Sequence, residues 1–294
     1  VHVPAVVYER LQSNDPPALR RLPLSAITTF LQQFGFHQAT VNPTATPGLY
    51  SIRYNHALPG KTGIVIPTKN KGQILKLAVD SLERTVPDDL YDLVVVNHES
   101  DDPETITLLQ TLSKKHRVIE YQGPFNFSTI NNVAAKCFDE SIDSFLFMNN
   151  DVEAIKGRWL ETMRDLLGRR EVGIVGATLL YPDPTDVLSP WDPGSNVETR
   201  SKDGHRSVAN VSQAGDQGTV FDENVPYLIQ HAGVILNVGV ADHYQKTEQY
   251  LDVYTRTTTL NPAIPSLVTR SFSAVTAACL LIRRGIFEDL KGFD

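Results

Sequence analysis

The sequence has little of what marks the specialised classes of protein. Only two of its 294 residues are cysteine, and its 27 Lys+Arg face 34 Asp+Glu, a net charge of −7. This composition argues against a disulfide scaffold and against a general nucleic-acid binder, which needs a basic face for phosphates. The cysteines, Cys137 and Cys279, match no metal or redox spacing, and we expect both to be buried thiols in a reducing compartment.

Long apolar runs and the common nucleotide fingerprints are also missing. The longest apolar run, Ala274–Ile282, is about half of what a membrane-spanning helix needs, so we expect no membrane span. The sequence has no Gly-x-Gly-x-x-Gly after its first buried strand, no Gly-x-x-x-x-Gly-Lys-Ser/Thr loop and no Gly-x-Ser-x-Gly elbow. The usual dinucleotide sites, the phosphate-loop kinases and the α/β-hydrolases are therefore disfavoured.

The pattern that is present alternates strands with helices. After a lead-in over residues 1–60, read as a small packing subdomain, short apolar runs typical of buried strands alternate with amphipathic stretches. This order predicts an α/β fold, with a mainly parallel sheet flanked by helices on both faces. The predicted strands are Gly63–Pro67, Leu93–Val96, Val118–Tyr121, Phe145–Met148, Val172–Leu180 and Ser273–Ile282. The predicted helices are Gln73–Arg84, one opened by Asp102 and Pro103, Ser128–Phe138, Trp159–Leu167 and Arg284–Leu290.

One long stretch interrupts the alternation. Residues Pro184–Leu228 are rich in Pro, Gly, Ser and Asp and carry little apolar periodicity. A loop of this length is a lid, a binding loop or an insertion, and we favour a tolerated surface insertion. The predicted organisation is thus a lead-in over 1–60 and one domain over 61–294 that contains this insertion at 184–228.

Polar residues concentrate where the predicted strands end, which is where open α/β sheets bind ligands. In Asn149-Asn150-Asp151 a carboxylate flanked by amide oxygens suits Mg²⁺ or Mn²⁺. Such an ion neutralises a diphosphate and improves it as a leaving group. The alternative is that these residues only cap a strand and open the next turn. The other polar strand ends are Thr68-Lys69-Asn70, Asn97-His98-Glu99-Ser100, and Asn126 with Ser128.

Five stretches, in order along residues 53–294, carry a family resemblance. They are Ile64–Asn70, Gly123–Ser128 with Asn131-Asn132, Phe147–Asp151, Ile229–Val234, and Val275–Cys279 running on to Gly292-Phe293-Asp294. Each is weak alone, but together the chain resembles the family 2 glycosyltransferases with the GT-A fold. It is most similar to the bacterial branch of rhamnosyltransferase and O-antigen polysaccharide type.

The resemblance implies a donor site. Pro67, Thr68 and Asn70 would lie along the nucleotide base and ribose. Asn97 stands where the family has an aspartate that grips the base, and Glu99 either compensates for the lost charge or is a solvated turn residue. Ser128, Asn131, Asn132 and Lys136 resemble the segment beneath the diphosphate, in which Lys136 is either a phosphate contact or an exposed helix lysine.

The resemblance also implies a metal and an acceptor side. Asp151 would bind Mg²⁺ or Mn²⁺, with Asn149 or Asn150 nearer the ribose. Thr276, Ala277 and Ala278 would line the acceptor side, where small side chains either leave room for a sugar hydroxyl or allow tight backbone packing. His231 is either a polar group in the cleft or a structural histidine.

The implied function is inverting, metal-dependent transfer of a sugar from a UDP- or dTDP-sugar to a polysaccharide or lipid-linked glycan. We expect a cytoplasmic bacterial protein of cell-envelope biosynthesis, with the inner face of the membrane as a further possibility for the parent. The family's catalytic base follows the position of Asp294, so we expect this piece to be inactive unless Asp294 or Glu288 supplies the carboxylate.

Two alternatives remain open. A sugar-nucleotide nucleotidyltransferase shares the sheet arrangement, but Pro67-Thr68-Lys69-Asn70 is not the Gly-rich basic loop that it would show. A non-catalytic sugar-nucleotide or glycan-binding module of a larger protein is the second alternative.

Overall fold

The alternating segments form one central sheet in a computed structural model that describes residues 24–44, 49–56, 58–181, 228–236, 241–244 and 269–294. The predicted insertion lies outside the described residues apart from Leu228. The strands are β1 Thr40–Pro43, β2 Tyr50–Arg53, β3 Lys61–Thr68, β4 Tyr91–Asn97, β5 Arg117–Glu120, β6 Ile142–Met148, β7 Ile174–Gly176, β8 Leu179–Leu180, β9 Ile229–His231, β10 Val234–Ile235, β11 Asp242–His243 and β12 Cys279–Arg283. The helices are α1 Leu24–Gln33, α2 Gly72–Thr85, α3 Pro103–Leu112, α4 Phe127–Ala135, α5 Trp159–Leu167 and α6 Arg284–Asp289.

The central sheet has six strands in the order β5-β4-β3-β6-β12-β7. The first four are parallel to one another, whereas β12 runs antiparallel to both β6 and β7. The prediction of an α/β fold with a mainly parallel sheet is therefore confirmed. The remaining strands form three two-stranded sheets, β1-β2, β8-β9 and β10-β11.

Two predicted strands are shorter in the structure. The stretch Val172–Leu180 divides into β7 and β8, which belong to different sheets. The Ala177 amide still donates to the Cys279 carbonyl of β12 at 3.2 Å, whereas Leu179 pairs with His231 of β9. The stretch Ser273–Ile282 pairs regularly only from Cys279 onward, and its first half is irregular apart from a single bridge between Ala274 and Val234. An apolar run without strict alternation does not show, in the sequence, where the strand begins and where the irregular segment before it ends.

Both faces of the sheet are buried, and neighbouring residues along each strand face opposite ways. Ile64 and Ile66 pack into a cluster with side chains of α2, α3 and α5. Val65 packs on the other face with Phe145 and Phe147, against α4 and α6. This arrangement explains why the strands are continuously apolar rather than alternating.

The helix starts follow the capping signals in the sequence. The Asp102 side chain accepts a hydrogen bond from the Thr105 backbone amide at 2.9 Å, and Pro103 occupies the first helical position of α3. Asn126 caps α4 in the same way, accepting from the Thr129 amide at 2.8 Å. The helix predicted to begin at Ser128 therefore begins at Phe127.

The described part of the lead-in packs on α5. The Tyr54 amide donates to Asp165 at 2.8 Å, and the Arg169 guanidinium lies 4.5 Å from the centre of the Tyr54 ring. Residues 49–56 of the predicted subdomain over 1–60 thus contact α5 and the residues that follow it. The boundary at residue 60 stays a prediction.

The two cysteines differ in environment. Cys279 is buried at the start of β12, and burial raises the pKa of its thiol to about 12, so the thiol stays protonated and unreactive. Cys137 is only half-buried, because it lies past the last turn of α4. Among the described residues, no helix is long and apolar enough to cross a membrane.

Candidate active site

The polar strand ends identified in the sequence meet at one edge of the sheet. The parallel strands β3, β4, β5 and β6 finish there, at Thr68, Asn97, Glu120 and Met148. Strand β12 begins at the same edge because it is antiparallel and pairs Cys279 with Met148. Open α/β sheets bind ligands at this carboxyl edge.

The turn Asn149–Asp151 is held on both sides. The Asn149 amide donates to the Ala278 carbonyl at 3.0 Å, which attaches the turn to the segment before β12. The Asn150 side-chain amide donates to the Thr68 hydroxyl at 3.0 Å, which attaches it to the end of β3. The structure therefore brings the predicted donor, metal and acceptor segments into direct contact.

Asp151 is exposed at this turn and pairs with no other residue in the described part of the chain. No three His, Cys, Asp or Glu side chains come together as a preformed metal site within the described ranges. The available donors are one carboxylate and the amide oxygens beside it. This set fits Mg²⁺ or Mn²⁺, which are commonly held by one or two carboxylates together with substrate phosphates.

Asn70 joins the loops that follow β3 and β4. Its side-chain oxygen accepts from the Asp101 and Asp102 amides at 2.9 and 3.1 Å, and its side-chain nitrogen donates to the Asp101 carboxylate at 2.8 Å. Its backbone amide donates to the Ser100 hydroxyl at 2.8 Å. The amide group of Asn70 is thus used within the protein, and its observed role is to fix the two loops that flank Thr68.

Asn97 is buried at the end of β4, and both atoms of its amide are engaged. Its nitrogen donates to Glu120 at 2.8 Å and its oxygen accepts from the Ser100 amide at 3.1 Å. Each atom retains the capacity for one further hydrogen bond. Glu120 is a residue that the sequence analysis missed, because a single exposed glutamate at the end of a short strand carries no pattern.

Glu99 is tied to the loop after β5. Its carboxylate accepts from the Gly123 amide at 3.3 Å and lies 3.9 Å from the Lys69 ammonium. Its backbone φ is +53°, a left-handed conformation that a solvated turn tolerates at a small cost. The neighbouring His98, named in the sequence only as part of this strand end, is buried and has its Nε2 atom 2.8 Å from the Gly123 carbonyl.

Helix α4 places its two ends differently. Ser128 lies in the first turn, beside the site edge, and is half-buried. Lys136 caps the other end, next to Cys137, whose carbonyl accepts from Arg117 at the start of β5. A nine-residue helix is about 14 Å long, so Lys136 lies at the opposite edge of the sheet. The structure does not bring it to the site.

The two asparagines of α4 make intramolecular contacts. The Asn131 nitrogen donates to the Phe127 carbonyl at 2.8 Å, and its side chain is fully buried. The Asn132 side chain pairs with the backbone of Phe293, accepting from its amide at 2.9 Å and donating to its carbonyl at 2.8 Å. Gly292 must be glycine here, since its φ is +87° and a Cβ atom would lie 2.4 Å from the Asn132 side-chain oxygen.

His231 lies behind the acceptor segment rather than in an open cleft, with only 1% of its surface exposed. Its Nε2 atom is 3.3 Å from the Thr276 backbone amide, and its Nδ1 atom is 2.8 Å from Nδ1 of His243. Burial, together with the neighbouring His243, lowers the pKa of His231 to about 4. His231 is therefore neutral at ordinary pH.

The remaining predicted residues complete the edge. Pro67 is half-buried within β3, and Thr276, Ala277 and Ala278 are half-buried before β12. Among the described residues, neither of the two carboxylates considered as substitute bases has a contact with the turn Asn149–Asp151. Glu288 is on α6 and pairs with Arg284 at 2.7 Å, and Asp294 is exposed after Phe293.

Sequence comparison agrees with this geometry. The family described as "Glycosyl transferase family 2" matches residues 63–213, just over half of the chain. The O-antigen biosynthesis protein RfbC of Myxococcus xanthus is 28% identical over 273 residues, which are 92% of this chain and 17% of that protein. The uncharacterized protein y4gI of Sinorhizobium fredii is 28% identical over 237 residues, 79% of this chain and 20% of that protein. The chain thus spans a fifth or less of these relatives.

Comparison with solved structures gives weaker similarities. A mannosyltransferase, PcManGT from Pyrobaculum calidifontis, in complex with GDP-Man and Mn²⁺, is 15% identical with a TM-score of 0.37, covering 55% of this chain and 46% of its own. A glucosyl-3-phosphoglycerate synthase from Mycobacterium tuberculosis, in complex with UDP, is 17% identical with a TM-score of 0.33, covering 40% of this chain and 43% of its own.

The family match begins within β3 and takes in all four parallel strands together with the turn Asn149–Asp151. It therefore covers the strand ends that were predicted from the sequence to bind the donor. On that match, this chain belongs to glycosyl transferase family 2.

Proposed function

We propose that this chain supplies the metal-dependent donor site for transfer of a sugar from a UDP- or dTDP-sugar to a polysaccharide or lipid-linked glycan, with inversion at the anomeric carbon. The observation that carries the proposal is the turn Asn149–Asp151, hydrogen-bonded to Thr68 on one side and to Ala278 on the other. Asp151 belongs to this turn, between the end of β3 and the start of β12, and its carboxylate has no partner among the described residues, which supports its use as a metal ligand. The similarity to an O-antigen biosynthesis protein supports a cell-surface polysaccharide as the product and a cytoplasmic site of action.

The donor base and ribose would lie along Pro67, Thr68 and Asn97. The Thr68 hydroxyl accepts from Asn150 and donates to the Asn70 carbonyl at 3.2 Å, so its orientation is fixed before a ligand arrives. Asn97 offers one further donor and one further acceptor, which match the edge of a pyrimidine. Glu99, held by Gly123, would supply a charge beside them.

The diphosphate would lie between Asp151 and the amino end of α4. A divalent cation held by Asp151 would neutralise diphosphate charge and improve the leaving group. Ser128 and the positive end of the α4 dipole favour an anion at that end of the helix, although the Thr129 amide is already bonded to Asn126. We do not assign a phosphate contact to Lys136, because it lies at the other end of α4.

The first experiment is calorimetric titration with UDP and dTDP, each with and without Mn²⁺. We expect one of the two to bind in a metal-dependent manner. Asp151→Ala is expected to lower that affinity about tenfold or more, which corresponds to about 1.4 kcal/mol. Asp88→Ala is the matched control, since Asp88 is an exposed aspartate paired with Lys115 away from the site edge.

Two results would contradict the proposal. One is the absence of metal-dependent binding of either nucleotide, and the other is an Asp151→Ala variant that binds as the parent protein does. Transfer to a glycan acceptor, on the other hand, would exclude the alternative of a non-catalytic sugar-nucleotide-binding module.

A further inference from the structure

His231 has a defined protonation pattern that its two partners fix. A backbone amide can only donate a hydrogen bond, so Nε2 of His231 is the acceptor for Thr276 and carries no proton. The ring proton of the neutral imidazole is then on Nδ1, which donates to Nδ1 of His243 at 2.8 Å. A doubly protonated ring has no acceptor for Thr276, so this contact requires the neutral form.

Further hydrogen bonds connect Thr276 to the candidate site. The Thr276 hydroxyl accepts from the Ala278 amide at 3.3 Å, and the Ala278 carbonyl accepts from the Asn149 amide at 3.0 Å. Three hydrogen bonds therefore connect the His231 ring to the first residue of the turn that carries Asp151. Regular pairing of β12 starts only at Cys279, and the bridge between Ala274 and Val234 holds the segment before Thr276 without reaching the turn.

The position of His231 excludes direct contact with a substrate. Its exposed fraction is 1%, and both ring nitrogens are occupied by protein atoms. The chain reverses immediately afterwards at Gly233, whose φ is +127° and where a Cβ atom would lie 2.3 Å from the Phe272 ring. This tight reversal fixes the end of β9 against the segment that leads to Thr276.

From this geometry we propose that His231 is a positioning residue that sets the acceptor segment Thr276–Ala278 and, through it, the turn Asn149–Asp151. The inference rests on the proposed function, because the proposed function gives these two segments their roles. It assigns Thr276–Ala278 to the acceptor side and the turn Asn149–Asp151 to the metal. His243 selects the tautomer, and His231 acts through the Thr276 amide without touching the acceptor or the donor.

The test compares two neutral replacements that differ in reach. In His231→Gln the side-chain oxygen reaches the place of Nε2 and accepts from Thr276. In His231→Asn the amide ends near the place of Nδ1 and leaves the Thr276 amide without its acceptor. Each full-length variant is titrated with UDP and dTDP in the presence of Mn²⁺, and the backbone amide signal of Asn149 is followed by NMR without any ligand.

We expect His231→Gln to retain the parent affinity within about threefold, and His231→Asn to lose about tenfold. We also expect the Asn149 amide signal to move in His231→Asn and to stay in place in His231→Gln. Equal losses in both variants would overturn the proposal, since they would mean that the imidazole itself is required. An unmoved Asn149 signal in a folded His231→Asn protein would overturn it as well.

The NMR measurement keeps this inference separate from the proposed function. If the parent protein binds neither nucleotide, the proposed function fails, while the shift of the Asn149 signal still decides whether His231 sets the turn. If the parent protein binds and the Asn149 signal is the same in both variants, the positioning role fails alone.

Discussion

Asn70 adopts a left-handed backbone conformation, with φ of 56°, while its side chain joins the loops after β3 and β4. Asparagine tolerates this conformation better than other residues with a side chain, and glycine adopts it freely. The position therefore combines two requirements, a permissive backbone and an amide that both donates and accepts. These two requirements are separable by substitution.

We expect Asn70→Gly to lower the free energy of unfolding by about 1 to 2 kcal/mol, since it removes the side-chain hydrogen bonds and leaves the backbone unstrained. Asn70→Ala should cost about 1 kcal/mol more, because alanine is strained at this φ. Urea unfolding of both variants measures the two contributions. Equal stability of the two variants would contradict the backbone argument, and a parent-like Asn70→Gly would contradict the hydrogen-bond argument.

His231 is expected to make stability depend on pH. Its pKa is about 4 in the folded protein against 6.5 for an unperturbed histidine, so the unfolded chain takes up the proton first as the pH falls. The contribution is complete above pH 6.5 and decreases as the pH falls from 6.5 towards 4. Between about pH 7 and about pH 5 this histidine should cost about 2 kcal/mol.

His231→Gln isolates that effect, because glutamine keeps the acceptor for Thr276 and does not titrate. Urea unfolding of the two proteins at both pH values should show a smaller loss for the variant by about this amount. Groups that do not contact His231 are the same in both proteins and cancel in the comparison, whereas His243, which contacts the replaced ring, contributes to the measured difference. Parallel pH profiles for the two proteins would show that His231 is not buried in its neutral form.

At the scale of elements, the helices and the four parallel strands were predictable because their signals are local. The stripe of α2, the Asp102 cap of α3 and the apolar runs of β3 to β6 each lie within a few neighbouring residues. The irregular approach to β12 was not predictable, because its path depends on His231, Asn149 and Ala274, which pair with residues far along the chain. The same reason hid Glu120 and His243, whose partners come from other elements.

Helix α5 carries another contact that the sequence does not show. Arg164 is buried beside β3 and β6, where its guanidinium donates to Asp143 at 3.1 Å, to the hydroxyl of Thr62 and to the backbone carbonyls of Leu58 and Gly60. In an amphipathic helix this arginine lies among buried apolar positions, Leu160, Met163 and Leu167. Its charge is compensated only by groups from the adjacent strands and the loop before β3.

We expect Arg164→Ala to destabilise the protein by about 3 to 5 kcal/mol, because it leaves the mostly buried Asp143 carboxylate without its cationic partner and removes the guanidinium donor from the two carbonyls. Arg164→Lys should recover only part of the loss, since an ammonium cannot reproduce the planar fork of the guanidinium. Arg84→Ala, at an exposed position of α2, is the control and should stay within about 0.5 kcal/mol of the parent. A chemical-denaturation midpoint of Arg164→Ala near that of the control would refute the assignment.

At the scale of the whole molecule, composition and the order of elements were enough to predict the fold class, and five short stretches were enough to predict the family. The site was predictable only as a set of strand ends. Some of the predicted site residues, such as Asn70 and Asn132, use their side chains in hydrogen bonds within the protein. Asp151 makes no such bond within the described residues. This difference follows from loop contacts that no local sequence pattern encodes. The distance of Lys136 from the carboxyl edge of the sheet was predictable from the sequence, since the predicted helix runs from Ser128 past Lys136.

The predicted boundary at residue 60 implies that the segments on its two sides unfold independently, and this can be measured. Asp165 on α5 accepts from the backbone amides of Tyr54 at 2.8 Å and of His56 at 3.3 Å, so it ties the lead-in to the sheet domain. Asp165→Ala removes both acceptors, whereas Asp165→Asn keeps an oxygen for one of them. If residues 1–60 and 61–294 are separate units, loss of this tie should loosen the first and leave the second unchanged.

Native-state hydrogen exchange reports this directly. In Asp165→Ala we expect the exchange of the Tyr54 and His56 amides, and of the β1-β2 hairpin, to rise about fivefold, which corresponds to about 1 kcal/mol of local stability. Amides in β3 and β6 should exchange as in the parent, and Asp165→Asn should show a smaller rise confined to the lead-in. A uniform increase across hairpin and sheet would mean that the two parts unfold together, because the Arg169 stack on Tyr54 would then couple them into one cooperative unit.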